Sequence, residues 1–87
     1  VSVLIDTPRW PAHGRLWAHL VSDASIDELH AFAAEHGLHP RSFDLDHYDV
    51  PEERVPGLIA AGAVPVDART LVRSLERSGL RVHQRDR

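Results

Sequence analysis

The chain contains no cysteine, and that absence decides much of what its 87 residues can fold into. No disulfide framework can staple it, and no thiolate zinc knuckle, iron–sulfur ligand set or cysteine nucleophile is available. A domain this short buries only about 60–65% of the surface its unfolded chain exposes. Its core must hold by packing, or with help from a bound ion or a second copy, so a homodimer is a natural expectation. The large apolar pieces are Trp10, Trp17, Phe32 and Phe43. A hydrophobic share of 43% with 26% charged residues is ordinary for a soluble globular domain, and excludes none of the common fold classes. No apolar run approaches the ~18 residues needed to span a bilayer and no signal-peptide pattern opens the chain, so a cytoplasmic protein without a membrane partner is expected. A formal charge of −3 disfavours a generic polyanion binder. Seven histidines are the compositional oddity.

Residues 1–5, Val-Ser-Val-Leu-Ile, are apolar on both parities, the pattern of a strand covered on two faces. Two prolines and Gly14 make residues 7–15 a loop. Residues 16–21, Leu-Trp-Ala-His-Leu-Val, fit a second strand or a buried helical turn. Ser25 and Glu28 form a capping box that opens a helix over 26–36, closed by Gly37. Residues 43–50 alternate, with Phe43, Leu45, His47 and Asp49 on one face and Asp44, Asp46, Tyr48 and Val50 on the other. Pro51 and Gly62 frame a helix over 51–61 that Pro56-Gly57 should kink or split. Residues 63–66 read as a short strand, placed at an edge by Pro65. Asp67 caps a last helix closed by Gly79. This order predicts one α/β domain over 1–82, a three- or four-stranded mostly parallel sheet with three helices, and a frayed tail over 83–87.

In open α/β sheets ligands gather at strand carboxyl ends. Asp6 ends the first strand, and His47 and Asp49 project together from a later one, an economical way to place metal ligands or a base and its orienting acid. The competing reading has Asp49 as a helix cap and His47 bonded to a backbone carbonyl. His30 falls in the apolar stripe of the first helix and His19 among apolar neighbours; each is a ligand or a satisfied core histidine. Together Asp6, His19, His30, His47 and Asp49 form a candidate site for a divalent transition metal such as zinc, manganese, iron or nickel. His36, His39 and His83 read as bystanders. Arg9, His13 and Arg15 around Gly14 form a candidate anion site beside Trp10. Arg69, Arg73, Arg77 and Arg81 recur every four residues as a basic stripe, a nucleic-acid or partner contact or simply a solvated face. Neither a Walker pattern nor a Gly-x-Gly-x-x-Gly is present, and no Ser-His-Asp set can be assigned by spacing.

The blocks Val3-Leu4-Ile5-Asp6, His19-Leu20-Val21-Ser22-Asp23, Asp27-Glu28-Leu29-His30-Ala31, His47-Tyr48-Asp49-Val50 and Ala60-Ala61-Gly62-Ala63-Val64 occur as a spaced set. In this the chain resembles, over roughly residues 2–80, a family of short bacterial and phage proteins catalogued as a domain of unknown function. The resemblance implies a cytoplasmic stand-alone domain and brings no activity, ligand or catalytic residue with it. Pro56-Gly57 is a local departure.

The first functional reading is therefore a small metal- or anion-binding α/β domain. In its hydrolytic version the ion activates water and an imidazole shuttles the proton. The alternative is a non-catalytic module contacting nucleic acid or protein through Arg69, Arg73 and Arg77 and the 9–15 loop. A third is a structural dimer whose histidines are satisfied internally.

Overall fold

The apolar opening segment forms strand β1 (Val3–Ile5), buried at all three positions. It continues into β2 (Trp10–Ala12), which turns back through His13-Gly14 into β3 (Arg15–Ser22). This computed structural model describes residues 2–82; the expected tail over 83–87, with His83, lies outside the described residues. The prolines that suggested a loop over 7–15 are accommodated in a hairpin. Asp6 N–H donates to the His19 carbonyl (3.2 Å) and Arg9 N–H to the Trp17 carbonyl (3.1 Å), so Thr7 and Pro8 bulge out and no ladder bond is asked of Pro8. Pro11 lies on β2, which pairs only with β3. His13 (φ 52°) and Gly14 (φ 76°) both take positive φ, as a two-residue turn matching the strand twist requires.

A second tight hairpin replaces the expected continuous strand over 43–50. Strand β4 (Phe43–Asp44) turns through Leu45-Asp46 into β5 (His47–Pro51), with Asp44 opposite His47. Strand β6 (Val64–Pro65) completes a sheet of order β4-β5-β3-β1-β6, with β2 against β3. Among the described residues only the β1–β6 pair is parallel, and the other four pairs are antiparallel. The expectation of a three- or four-stranded mostly parallel sheet is corrected to six strands, mostly antiparallel. The physical reason is the two hairpins, since a two-residue turn can join only antiparallel neighbours. Pro65 does lie at the sheet's edge.

Helix α1 (Ile26–Glu35) begins as expected, with the Ser25 hydroxyl accepting the Glu28 N–H (3.0 Å). The Glu28 carboxylate accepts from the Ser22 hydroxyl instead of reaching back to Ser25, which ties the helix to the end of β3. The 51–61 segment splits where Pro56 demands, into a 3₁₀ turn (Glu52–Arg54) and helix α2 (Val55–Ala60), with Pro56 in its first turn. Helix α3 (Ala68–Ser78) is capped by Asp67, which accepts the Thr70 N–H (2.7 Å), and ends at Gly79 with φ 80°.

Alternation along the strands sorts the core into two layers. Ile5, Ala18, Leu20, Tyr48 and Val50 pack against Leu29 and Ala33 of α1 and Val55 and Leu58 of α2. Leu4 and Val21 face the other way and pack against Leu71 and Leu75 of α3. The result is a mixed sheet between two helical layers. None of its helices is long and apolar enough to cross a membrane, among the described residues.

Candidate metal centre

The α3 side of the sheet carries the polar cluster. His19 on β3 lies opposite Asp49 on β5 in the strand register, and His47 is two residues from Asp49 on the same face. The His19 and His47 rings meet edge to face, with centroids 5.0 Å apart. One atom from each of His19, His47 and Asp49 lies within 4.8 Å of the others, and among the described residues this is the group of metal-ligating side chains that the fold assembles.

Each imidazole is held by a carboxylate at Nδ1. Asp6 Oδ2 lies 2.9 Å from His19 Nδ1, while Asp6 Oδ1 accepts the His19 backbone N–H at 2.7 Å. Asp46 Oδ1 lies 2.8 Å from His47 Nδ1. A neutral ring that donates Nδ1–H to a carboxylate presents an unprotonated Nε2, the arrangement found behind most metal-ligating histidines. Asp6 is thus placed to orient His19, with both its oxygens engaged, and Asp46 takes the same position toward His47.

Asp46 was not among the candidate residues, because alternation over 43–50 put it on the face opposite His47. The Leu45-Asp46 turn breaks that alternation. Leu45 sits in the left-handed region (φ 61°), where a branched side chain costs on the order of 1–2 kcal/mol, and the next residue swings inward. Asp46 is 1% exposed. Its Oδ2 accepts the Val82 N–H at 2.8 Å, with the Arg81 guanidinium 3.7 Å away. A carboxylate beside the histidine at a chain reversal is the one sequence signal that could have marked it.

On its far side His47 Nε2 lies 3.1 Å from Asp49 Oδ1, which is shut off from solvent and has no aligned hydrogen-bond donor. If Nδ1 carries the only ring proton, Nε2 and Asp49 Oδ1 are two acceptors 3.1 Å apart, with the Nε2 axis not aimed at the oxygen. Burial pushes the His47 imidazole down, but Asp49 and Asp46 outweigh it and hold it above its ordinary 6.5. The folded value exceeds the unfolded one, so this stabilisation is complete below pH 6.5 and is lost as pH rises through the folded value. Metal-free protein is expected to lose more stability between pH 6 and 8.5 than a His47→Gln variant, measured by urea unfolding. Equal pH profiles would contradict the paired imidazolium.

The remaining candidates lie elsewhere. His30 is exposed, on the α1 side of the sheet, and not turned inward as its stripe suggested; α1 buries only Leu29 and Ala33. Its Nδ1 is 2.7 Å from the Tyr48 hydroxyl, which burial keeps protonated and able to donate. His39 accepts the Arg41 N–H, and His36 packs on Phe32. Arg15 pairs with Glu53 at 2.7 Å, and Arg9 and His13, the other residues of the candidate anion site, are exposed. Arg69, Arg73 and Arg77 are exposed on α3, and Leu71 and Leu75 form its buried side. Trp10 stacks on both Trp17 and His19, walling the cluster toward the β2–β3 hairpin.

Fold and site together define a small mixed α/β domain with a His/His/Asp cluster on one face of its sheet. The chain belongs to the family described as protein of unknown function (DUF4031), whose model matches residues 3–78 and so spans the whole cluster. No curated protein and no solved structure matches the chain.

Proposed function

We propose that this domain binds one divalent transition metal through His19 Nε2, His47 Nε2 and Asp49, with Asp6 and Asp46 fixing the two rings. The observation that carries this reading is the convergence of His19, His47 and Asp49, with His47 Nε2 3.1 Å from a buried Asp49 oxygen that has no hydrogen-bond donor. Charge supports it. Asp6, Asp46 and Asp49 against Arg81 leave two negative charges around neutral imidazoles, which a dication balances. Two atoms each 2.2 Å from one ion can be no more than about 4.4 Å apart, so the 4.8 Å spread closes with a small swing. His19, with its side chain 34% exposed, has the freedom to make it.

Two imidazoles and a carboxylate without thiolate suit zinc, and also manganese, iron or nickel. Three protein ligands leave an open position of the kind found in catalytic sites, where a bound water becomes a nucleophile near neutral pH. In a hydrolytic reaction neither ligated imidazole would be free to shuttle the proton, so that role would pass to a group of the substrate or to solvent.

Competition with a chromophoric chelator tests the reading. One zinc per chain is expected, and Asp46→Asn should weaken it roughly 10–100-fold while leaving the ligands in place. Wild-type protein that cannot compete with the chelator, or an Asp46→Asn variant as tight as wild type, would count against it.

A further inference from the structure

We propose that the pocket beneath the β2–β3 hairpin binds a small aromatic molecule carrying an oxyanion, held by Arg41 against two indole rings; this rests on the metal reading above, in which the ion neutralises Asp49. The pocket has a volume of about 220 Å³. Its walls include Trp10, His13 and Trp17 of the hairpin, Asp49 of β5, and Arg41 and Ser42 of the 3₁₀ turn Pro40–Ser42 that precedes β4. That volume is below the usual ~300–1,000 Å³ of drug-sized sites, so the ligand is small. Asp49 is both a member of the metal-ligating group and a wall of this pocket, so an occupant lies against the residue that holds the ion.

The walls select for such a ligand. Trp10 and Trp17 stack with ring centroids 5.9 Å apart and planes inclined by 23°, and both are only part-buried, so they offer aromatic surface to a flat ring. Among the described residues, the two buried side-chain atoms that lack a hydrogen-bond partner, Trp10 Nε1 and Asp49 Oδ1, both belong to residues that wall this pocket. In the metal reading the ion answers Asp49 Oδ1. An indole N–H can only donate, so what answers Trp10 is an acceptor from outside the chain, reached as its part-buried ring tilts. Arg9 and Arg15 of the expected anion site are not among the walls, and Arg41 supplies the guanidinium in their place. Arg41 is exposed, and among the described residues its guanidinium has no hydrogen bond or ion pair; the bond at this residue runs from its backbone N–H to His39. Asp49 is the only carboxylate in the lining, so the loaded pocket offers donors from Arg41, His13 and Ser42 beside an aromatic wall. A carboxylate or phosphate on a single aromatic ring answers both, with its oxygens on Arg41 and its ring on the indoles.

The chain's two tryptophans both line the pocket, so their emission reports its occupancy. Zinc uptake is measured first, and the zinc-loaded protein is then titrated with benzoate and with phenyl phosphate. A saturable change in emission with either supports the proposal, and which anion acts tells a carboxylate from a phosphate site. The cyclohexyl analogue of that anion, equal in charge but without an aromatic ring, should bind at least tenfold more weakly. Arg41→Gln should also weaken the aromatic anion at least tenfold while leaving zinc affinity unchanged, since Arg41 is not in the metal-ligating group. Ser42→Asp should weaken it as well by adding a like charge to the wall. Normal zinc uptake with no response to either anion would overturn the pocket proposal alone, as would unchanged affinity in both variants or equal binding of the cyclohexyl analogue. Failure to take up zinc would overturn the metal reading, and this proposal with it.

Discussion

Zinc added to metal-free protein is expected to raise its melting temperature by roughly 10–20 °C once the free ion is about 100-fold above its dissociation constant. At that excess, binding confined to the folded state contributes about 2.7 kcal/mol. A domain of this size shifts about 4–8 °C per kcal/mol. His47→Ala should abolish the rise, because it removes the ring that faces both His19 and Asp49. His30→Ala should leave it intact, since that ring meets Tyr48 on the other side of the sheet. A zinc-induced shift that survives His47→Ala but not His30→Ala would place the ion away from the α3 side.

Leu20→Ala should cost about 3–4 kcal/mol in urea unfolding, within the 2–5 kcal/mol span of buried leucine truncations. Leu20 is 0% exposed on the long central strand β3, opposite Ile5 of β1 on one side and Tyr48 of β5 on the other. Its loss opens a cavity at the middle of the α1/α2 layer, in a chain with no disulfide to compensate. Domains are typically stable by only 5–15 kcal/mol, so a large part of the folded margin is expected to go. Leu16→Ala on the same strand is a matched control: Leu16 is 37% exposed, and the change should stay within about 0.5 kcal/mol. Similar costs at the two positions, which share a face of β3, would mean that the start of the strand is as tightly packed as its middle.

The helices were legible because their signals are local. Ser25 with Glu28, Asp67, and Gly79 each act within one turn, and α1 and α3 begin and end close to where those residues put them. The split at Pro56 follows from a missing N–H and a ring clash, equally local effects. Sheet polarity is not local. It turned on His13-Gly14 and Leu45-Asp46, and neither pair is the Asn-Gly or Asp-Gly that advertises a two-residue hairpin. His13 and Leu45 take left-handed backbone that their side chains disfavour, so only the pairing of the flanking strands makes those turns visible.

The site divides in the same way. His47 and Asp49 shared a face by alternation, and that survives because both follow the turn. His19 comes to them through strand pairing, which the sequence could suggest only as one of several arrangements. His30 was placed inward by a helical stripe whose buried width in a helix of ten residues is just Leu29 and Ala33. Asp46 stayed hidden because a turn residue obeys no alternation. Yet without it His47 has no carboxylate at Nδ1 and no fixed tautomer.

The most direct measurement is an anomalous difference map from crystals grown with zinc. One peak is expected within about 2.0–2.2 Å of His19 Nε2, His47 Nε2 and an Asp49 carboxylate oxygen, with Asp6 and Asp46 still on the two Nδ1 atoms. Zinc bound only at exposed residues such as His13 or His39, with Asp49 still turned to an unmetallated His47, would contradict the metal centre.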